Sequence, residues 1–358
     1  MSSAIAPRVG AQQPHAGKLV FDTVHSAALA HNKFGDPVDR EVLVYLPPSY
    51  ATNASARFPV VYLLHGFGGT DRTWLGALNH FSIQPAVDSL INAGGAREMI
   101  IVMPNGANRL GGSFYTNSAT TGNWDDFVSK ELVAYIDAKY RTLARPESRG
   151  LAGHSMGGFG TLYLGMQHGG AVYGAIYALS GCCTRAATGM SPTMDAAWRK
   201  VLDAKSLDEF RGLRFFAQVE LALAAAFSPD STKPPFYADY PVSEQNGTWS
   251  PVASVARRWE EHSPYNMLRL DARYAGNLKR LRGIAFDVGS KDPLVLPAQM
   301  YLLDSAFTRA GVRHTFEVYE GDHVNGVGGR IITKVLPFFS QMLDFSTARR
   351  GAERHTFR

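Results

Sequence analysis

The sequence predicts an α/β protein: a mostly parallel central sheet flanked by helices, with one long insertion. Three observations predict it. Continuous apolar runs rich in β-branched residues, such as 59–64 (PVVYLL) and 99–103 (MIIVM), read as strands buried on both faces. Helical patterns alternate with these runs, which implies parallel pairing through right-handed crossovers. The rhythm breaks over residues 184–262 and returns at Gly283. In such a sheet the functional groups collect at the carboxyl ends of the strands.

Taken in order, residues 1–17 read as a loose leader rich in Ala, Pro, Gln and Gly. Strands are expected at 18–24 and 40–46, separated by the turn signal Gly35-Asp36-Pro37 and closed by Pro47-Pro48. The strand at 59–64 ends in His65-Gly66-Phe67-Gly68-Gly69, then Thr70-Asp71. A helix near 84–93 leads to the strand at 99–103, and a polar loop over 104–123 follows. Val128, Leu132, Tyr135 and Ile136 share one face of an amphipathic helix over 125–140, with Asn123 as its N-cap. A short strand at 149–152 feeds Gly153-His154-Ser155-Met156-Gly157-Gly158. A helix then runs to Gln167, stopped by Gly169-Gly170, and a strand follows at 172–179.

The insertion holds Trp198, Phe210, Phe215, Phe216, Phe227, Phe236, Tyr237, Tyr240 and Trp249. Disordered linkers carry few aromatics, so this segment is expected to be a lid of helices and loops at the catalytic edge, the alternative being an extra packing layer. Beyond it come a strand at 283–288, a helix at 297–310 stopped by Gly311, a strand at 314–319 and a closing helix over 329–345. The tail, 346–358, is polar and basic. The core therefore comprises 18–183 and 263–345.

Bulk properties narrow the function classes. A net charge of +5 comes from scattered basic residues, and the densest spots (Arg257-Arg258, Lys279-Arg280-Arg282) lack aromatic interleaving, which argues against nucleic acid. The longest apolar stretch, 215–227, contains Gln218 and Glu220 and falls short of the roughly 20 residues of a membrane span. Residues 1–17 show no basic segment followed by an apolar one, so a cytoplasmic protein and a secreted domain without its signal both fit. Cys182 and Cys183 are adjacent, a spacing that strains a bridge, and they say little about compartment. No metal-binding pattern occurs, and neither metal nor cofactor is expected.

Gly153 to Gly157 reads G-x-S-x-G, the nucleophile elbow of α/β-hydrolases, where a sharp strand-to-helix turn lifts the serine Oγ clear of the sheet. A serine hydroxyl needs a base to take its proton and a third group to orient that base. In this fold they occur in the order Ser, Asp or Glu, His. Ser155, Asp292 and His323 satisfy that order, each directly after an expected strand. Asp287, within its strand, and Asp322, beside the histidine, are weaker candidates for the acid. His154 points away from its neighbour on the elbow, and His65 is expected to shape its loop. The oxyanion hole is assigned to the Met156 N–H and to Phe67, with Gly68 as the alternative.

The motifs LLHGFGG (63–69), TGNWDDFVSKEL (121–132), GHSMGGFGTL (153–162), GSKDP (289–293) and GDH (321–323) together resemble the esterase D / putative esterase family of α/β-hydrolases, which includes feruloyl esterases, S-formylglutathione hydrolases and mycolyltransferases. The resemblance covers roughly 18–183 and 263–345. It implies Ser155 as nucleophile, Asp292 as acid and His323 as base, and it implies that the loop after Met103 and Trp124 help wall the substrate cleft. Gly68, Asp71 and Trp124 are taken as substrate-binding. Two departures stand out: the size of segment 184–262, and Val324-Asn325-Gly326 after the histidine, where a tryptophan is often found.

The expected function is a serine carboxylester hydrolase for apolar or aryl esters. The alternatives are an acyltransferase using the same triad with an alcohol or sugar acceptor, and an S-formylglutathione hydrolase-like thioesterase. The expected partner is a small-molecule ester, with homodimerisation left open.

Overall fold

The computed structural model describes residues 16–184 and 192–347. Residues 1–15 of the expected leader, 185–191 of the insertion and 348–358 of the tail lie outside the described residues.

Eight strands form the sheet: β1 Lys18–His25, β2 Asp39–Leu46, β3 Val60–Leu64, β4 Ile100–Pro104, β5 Arg149–His154, β6 Ala175–Leu179, β7 Gly283–Gly289 and β8 Thr315–Tyr319. Their order is β1-β2-β4-β3-β5-β6-β7-β8. β1 and β2 pair antiparallel, as do β2 and β4, and the remaining pairs are parallel. Register aligns the carboxyl ends: Leu64 faces Gly153, His154 faces Leu179 and Gly289 faces Tyr319. The loops after β3, β5, β7 and β8 therefore leave one edge together.

The continuous apolar runs have a two-sided cause. Val60, Tyr62 and Leu64 pack into one core, while Val61 and Leu63 pack into another on the opposite face. Helix α1, Ile83–Asn92, and the closing helix cover the second face with Ile83, Val87, Ile331, Val335 and Phe339. The first face takes helices α2 and α3. In α2, Trp124–Asp126, the π-helical turn Phe127–Glu131 and Leu132–Lys139 run on without a break. Helix α3 is Met156–His168.

Some boundaries differ from expectation. β5 extends through His154, and β6 starts at Ala175 because Val172 turns back to the end of α3, its N–H bonded to His168 O at 2.9 Å. Asn123 makes no side-chain cap on α2, being held in a two-residue ladder with Asn117. Asn117 does the capping instead: its Oδ1 accepts the Asp126 N–H at 3.1 Å.

The insertion carries α4 Pro192–Asp203, α5 Leu207–Arg211, α6 Phe215–Phe227 and α7 Ala253–His262. It also holds a hairpin absent from the sequence expectation of helices and loops, pairing Val242–Gln245 with Thr248–Pro251. Asn246 and Gly247 turn it with φ of 50° and 80°, the left-handed pair that a tight hairpin demands. Phe227 stacks on His262 at 4.8 Å and meets Phe114 and Phe159 of the core. The Tyr265 N–H bonds to Thr184 O at 2.8 Å, joining the two ends of the excursion. Among the described residues, no helix is long and apolar enough to cross a membrane, and no cluster of His, Cys, Asp or Glu is arranged to hold a metal ion.

Candidate active site

The elbow is built by close backbone approach. A Cβ on Gly157 would lie 2.8 Å from His65 O, and one on Gly153 would lie 2.9 Å from Gly157 Cα, so side chains are excluded at both positions. Ser155 between them has φ 57° and ψ −115°, a region that costs a non-glycine residue on the order of 1–3 kcal/mol. Three hydrogen bonds hold it there. Its N–H donates to Leu179 O at 3.0 Å, while its carbonyl accepts from the Phe159 N–H at 2.9 Å and the Cys182 N–H at 3.2 Å.

The structure brings Ser155, His323 and Asp292 together. Ser155 Oγ lies 2.9 Å from His323 Nε2, and His323 Nδ1 lies 2.7 Å from Asp292 Oδ2. A carboxylate only accepts, so Nδ1 carries the proton and Nε2 is free to take the serine's. Asp292 is fixed from behind, its Oδ1 accepting the N–H groups of Leu294 and Val295 at 2.9 and 2.8 Å. Burial acts to raise its carboxyl, but the bonds from His323 and these N–H groups outweigh it and hold it below the ordinary value.

The other carboxylates have different work. Asp287 Oδ2 accepts from Arg330 Nε at 2.6 Å and from the Tyr177 hydroxyl at 3.0 Å, and Arg330 also pairs with Glu317. Burial pushes Asp287 up to about 6 in spite of Arg330. Asp322 Oδ1 accepts the Val324 and Asn325 N–H groups and shapes the turn that presents His323. His65, held down to about 4 by burial, accepts the Gly106 N–H at Nε2 and donates from Nδ1 to Gly66 O. It ties the loop after β3 to the loop after β4.

Neither the Met156 nor the Phe67 N–H has a hydrogen-bond partner among the described residues, as two oxyanion donors require. Gly68 is not a free donor, because its N–H is bonded to Gly111 O at 2.9 Å. Gly66 packs so close that a Cβ there would stand 3.3 Å from Ser155 Cβ.

Ser155 opens into a cavity of about 180 Å³, lined chiefly by Phe67, Phe114, Phe215, Phe216, Phe227 and Trp259. Residues 215, 216, 219, 220, 223 and 227 of α6 all line it, one face of a helix. Cys182 and Cys183 also line it, as free thiols. Phe114, from the loop after β4, lines the cavity. Trp124 does not: it is 0% exposed, its indole N–H donating to Thr121 O and its face covered by Arg40. Asp71 is likewise buried in the turn after the β3 loop, away from the cavity, where burial raises its carboxyl. Sequence reasoning overlooked Glu220 and Ser263, which also line the cavity. The helical spacing of 215–227 marks the face that Glu220 shares, and nothing local marks Ser263.

Ser155, Asp292 and His323 stand in the chain order and at the strand ends that define serine hydrolases of the α/β-hydrolase fold. Comparison with known proteins narrows this class. The chain belongs to the putative esterase family, whose family model matches residues 37–326. It is 38% identical to Esterase Rv1288 of Mycobacterium tuberculosis over 125 residues, 34% of this chain and 25% of that protein. An endo-1,4-beta-xylanase/feruloyl esterase of Xylanibacter ruminicola is 31% identical over 121 residues, 33% of this chain and 16% of that protein. The matches thus span a quarter or less of these curated relatives. A solved ferulic acid esterase superposes with a TM-score of 0.63 at 24% identity, over 92% of this chain and 99% of that one, a likeness of fold.

Proposed function

We propose that this protein is a serine carboxylester hydrolase acting through an acyl-enzyme on apolar or aryl esters. The observation that carries the reading is the hydrogen-bonded chain from Ser155 through His323 to Asp292, set at an aromatic cavity. His323 Nε2 takes the Ser155 proton as Oγ attacks the ester carbonyl carbon. The carbonyl oxygen becomes an oxyanion between the Met156 and Phe67 N–H groups, each such donor being worth about 10²–10³ in rate. Collapse breaks the ester C–O bond, and His323 returns its proton to the leaving alcohol. Water then repeats the relay, releasing the acid and restoring Ser155.

A cavity of about 180 Å³ is close to the size of apolar cavities, about 150 Å³, that accept a benzene ring, so one aryl group or a short acyl chain fits. No basic residue lines it, which disfavours the charged glutathione moiety. The test is a series of p-nitrophenyl esters of rising chain length, with methyl benzoate and S-formylglutathione alongside. Aryl and short acyl esters should be preferred, and Ser155→Ala should lose about 10⁵–10⁶ in kcat. Equal rates for wild type and Ser155→Ala would refute the reading. Added alcohols that capture the acyl group faster than water would turn it into an acyltransferase.

A further inference from the structure

Cys182 and Cys183, the two cysteines of the chain, are adjacent in the turn that follows β6. Both are partly exposed free thiols, and both line the cavity into which Ser155 opens. Neighbours in an extended chain point to opposite sides. Here Cys183 is turned into the left-handed region, with φ 56°, a conformation uncommon outside glycine. The two sulfurs therefore meet, the Cys183 thiol donating to the Cys182 sulfur at 2.9 Å. A cysteine that only fills a wall acts as a small apolar residue and needs no such pairing.

We propose that Cys182 and Cys183 form a reversible dithiol–disulfide site in the wall of this cavity, closed by small neutral disulfides, and that closure lowers esterase activity. Neither thiol takes part in ester cleavage, so the site goes beyond that reaction.

The exchange balances without any further reagent. The Cys182 sulfur attacks one sulfur of the small disulfide and breaks its S–S bond, and the thiol proton leaves on the released half. The Cys183 sulfur then attacks the Cys182 sulfur and expels the second half, again as a thiol. Two protein thiols are oxidised to one disulfide, and the small disulfide is reduced to two thiols. The hydrogen bond to Cys182 and burial push the Cys183 thiol up, which suits it to the second step. Adjacent Cα atoms lie about 3.8 Å apart, short of the roughly 4.4 Å at which relaxed disulfides begin, so the closed ring is strained and readily reduced. It acts as a switch, not a staple.

Closure reaches Ser155 through the backbone. The Cys182 N–H donates to Ser155 O at 3.2 Å, one of the bonds that hold the elbow. Gly181 packs so near the helix after Ser155 that a Cβ on Gly158 would stand 2.7 Å from its Cα. On the other side, Thr184 O accepts the Tyr265 N–H at 2.8 Å. Drawing the sulfurs to bonding distance twists a peptide between fixed ends, and the elbow takes up the displacement.

The rate effect rests on the ester-hydrolase reading and the cross-link does not, so the two are read separately. Reduced full-length protein is incubated with 2-hydroxyethyl disulfide, freed of reagent, and examined by thiol titration, intact mass and hydrolysis of a p-nitrophenyl ester. Both thiols should disappear with loss of the mass of two hydrogen atoms and no bound adduct. The kcat should fall about ten- to a hundredfold, the order that a small misplacement of reacting groups costs. Dithiothreitol should restore both. Cys182→Ser and Cys183→Ser should each retain one adduct, since no second thiol expels it, and the double variant should keep its own rate under the reagent. A persistent adduct on the wild type, thiols that stay titratable, links between chains, closure without loss of rate, or equal loss in the double variant would each overturn the proposal. A reduced protein inert towards esters would refute the ester-hydrolase reading and the rate effect with it, while the mass still decides the site.

Discussion

The imidazole of His154, the residue before Ser155, donates from Nε2 to the backbone carbonyl of His323, 2.7 Å away. The elbow thus positions the backbone of His323 as well as the serine. Burial, reinforced by the adjacent His323, holds His154 down to about 3, so it stays a neutral donor throughout the working range. His154→Phe should lower kcat about tenfold with KM nearly unchanged, the value of one hydrogen bond that orients a reacting group. His154→Gln, whose amide can still donate, should recover most of it. Steady-state kinetics on one p-nitrophenyl ester checks both.

The two buried aspartates near the end of β7 should separate cleanly. Asp292→Asn leaves His323 without its carboxylate and should cost about 10⁴ in kcat with little change in stability. Arg330→Leu strands Asp287 and should cost about 3 kcal/mol of stability, read by urea unfolding. At temperatures where it stays folded, its kcat should remain near wild type.

Gly66→Ala places a methyl group against Ser155 Cβ at 3.3 Å, a clash that the serine relieves by shifting within the site. Activity should fall by up to about 10²-fold, the order that a small misplacement of reacting groups costs. The unfolding midpoint should move far less than the rate.

His65 links folding to pH. Its folded value near 4 lies below the ordinary 6.5, so between these values the unfolded chain binds more protons than the native one. The stability it contributes is therefore complete above pH 6.5 and is lost as pH falls towards 4. The loss should amount to on the order of 3 kcal/mol. The gap in unfolding free energy between wild type and His65→Gln should narrow by that order across the interval, measured by urea titrations at several pH values.

The relation of sequence to site differs from residue to residue. Ser155 and Asp292 are legible because each follows a strand buried on both faces, which leaves a continuous apolar run, and His323 because it follows the last strand, the half-buried edge strand β8. The cap at Asn117 is not, since it reaches Asp126 only through the ladder that pairs it with Asn123, while Asn123 occupies the local position. An aromatic side chain beside a loop reads alike whether it walls a cleft, as Phe114 does, or backs the core, as Trp124 does. The register of α6 is visible in its spacing, yet which neighbour covers that face is a tertiary fact. The hairpin at Asn246-Gly247 carried a plain local signal, outweighed by the aromatic content around it.

The bond between Thr184 and Tyr265 has an evolutionary corollary. A segment that departs and returns within one hydrogen bond can be lengthened, shortened or traded for another without re-spacing β6 and β7. Chemistry and selectivity then become separately inheritable. Grafting a relative's segment between these two residues should transfer ester preference while the pH profile of the Ser155–His323 pair stays with the recipient.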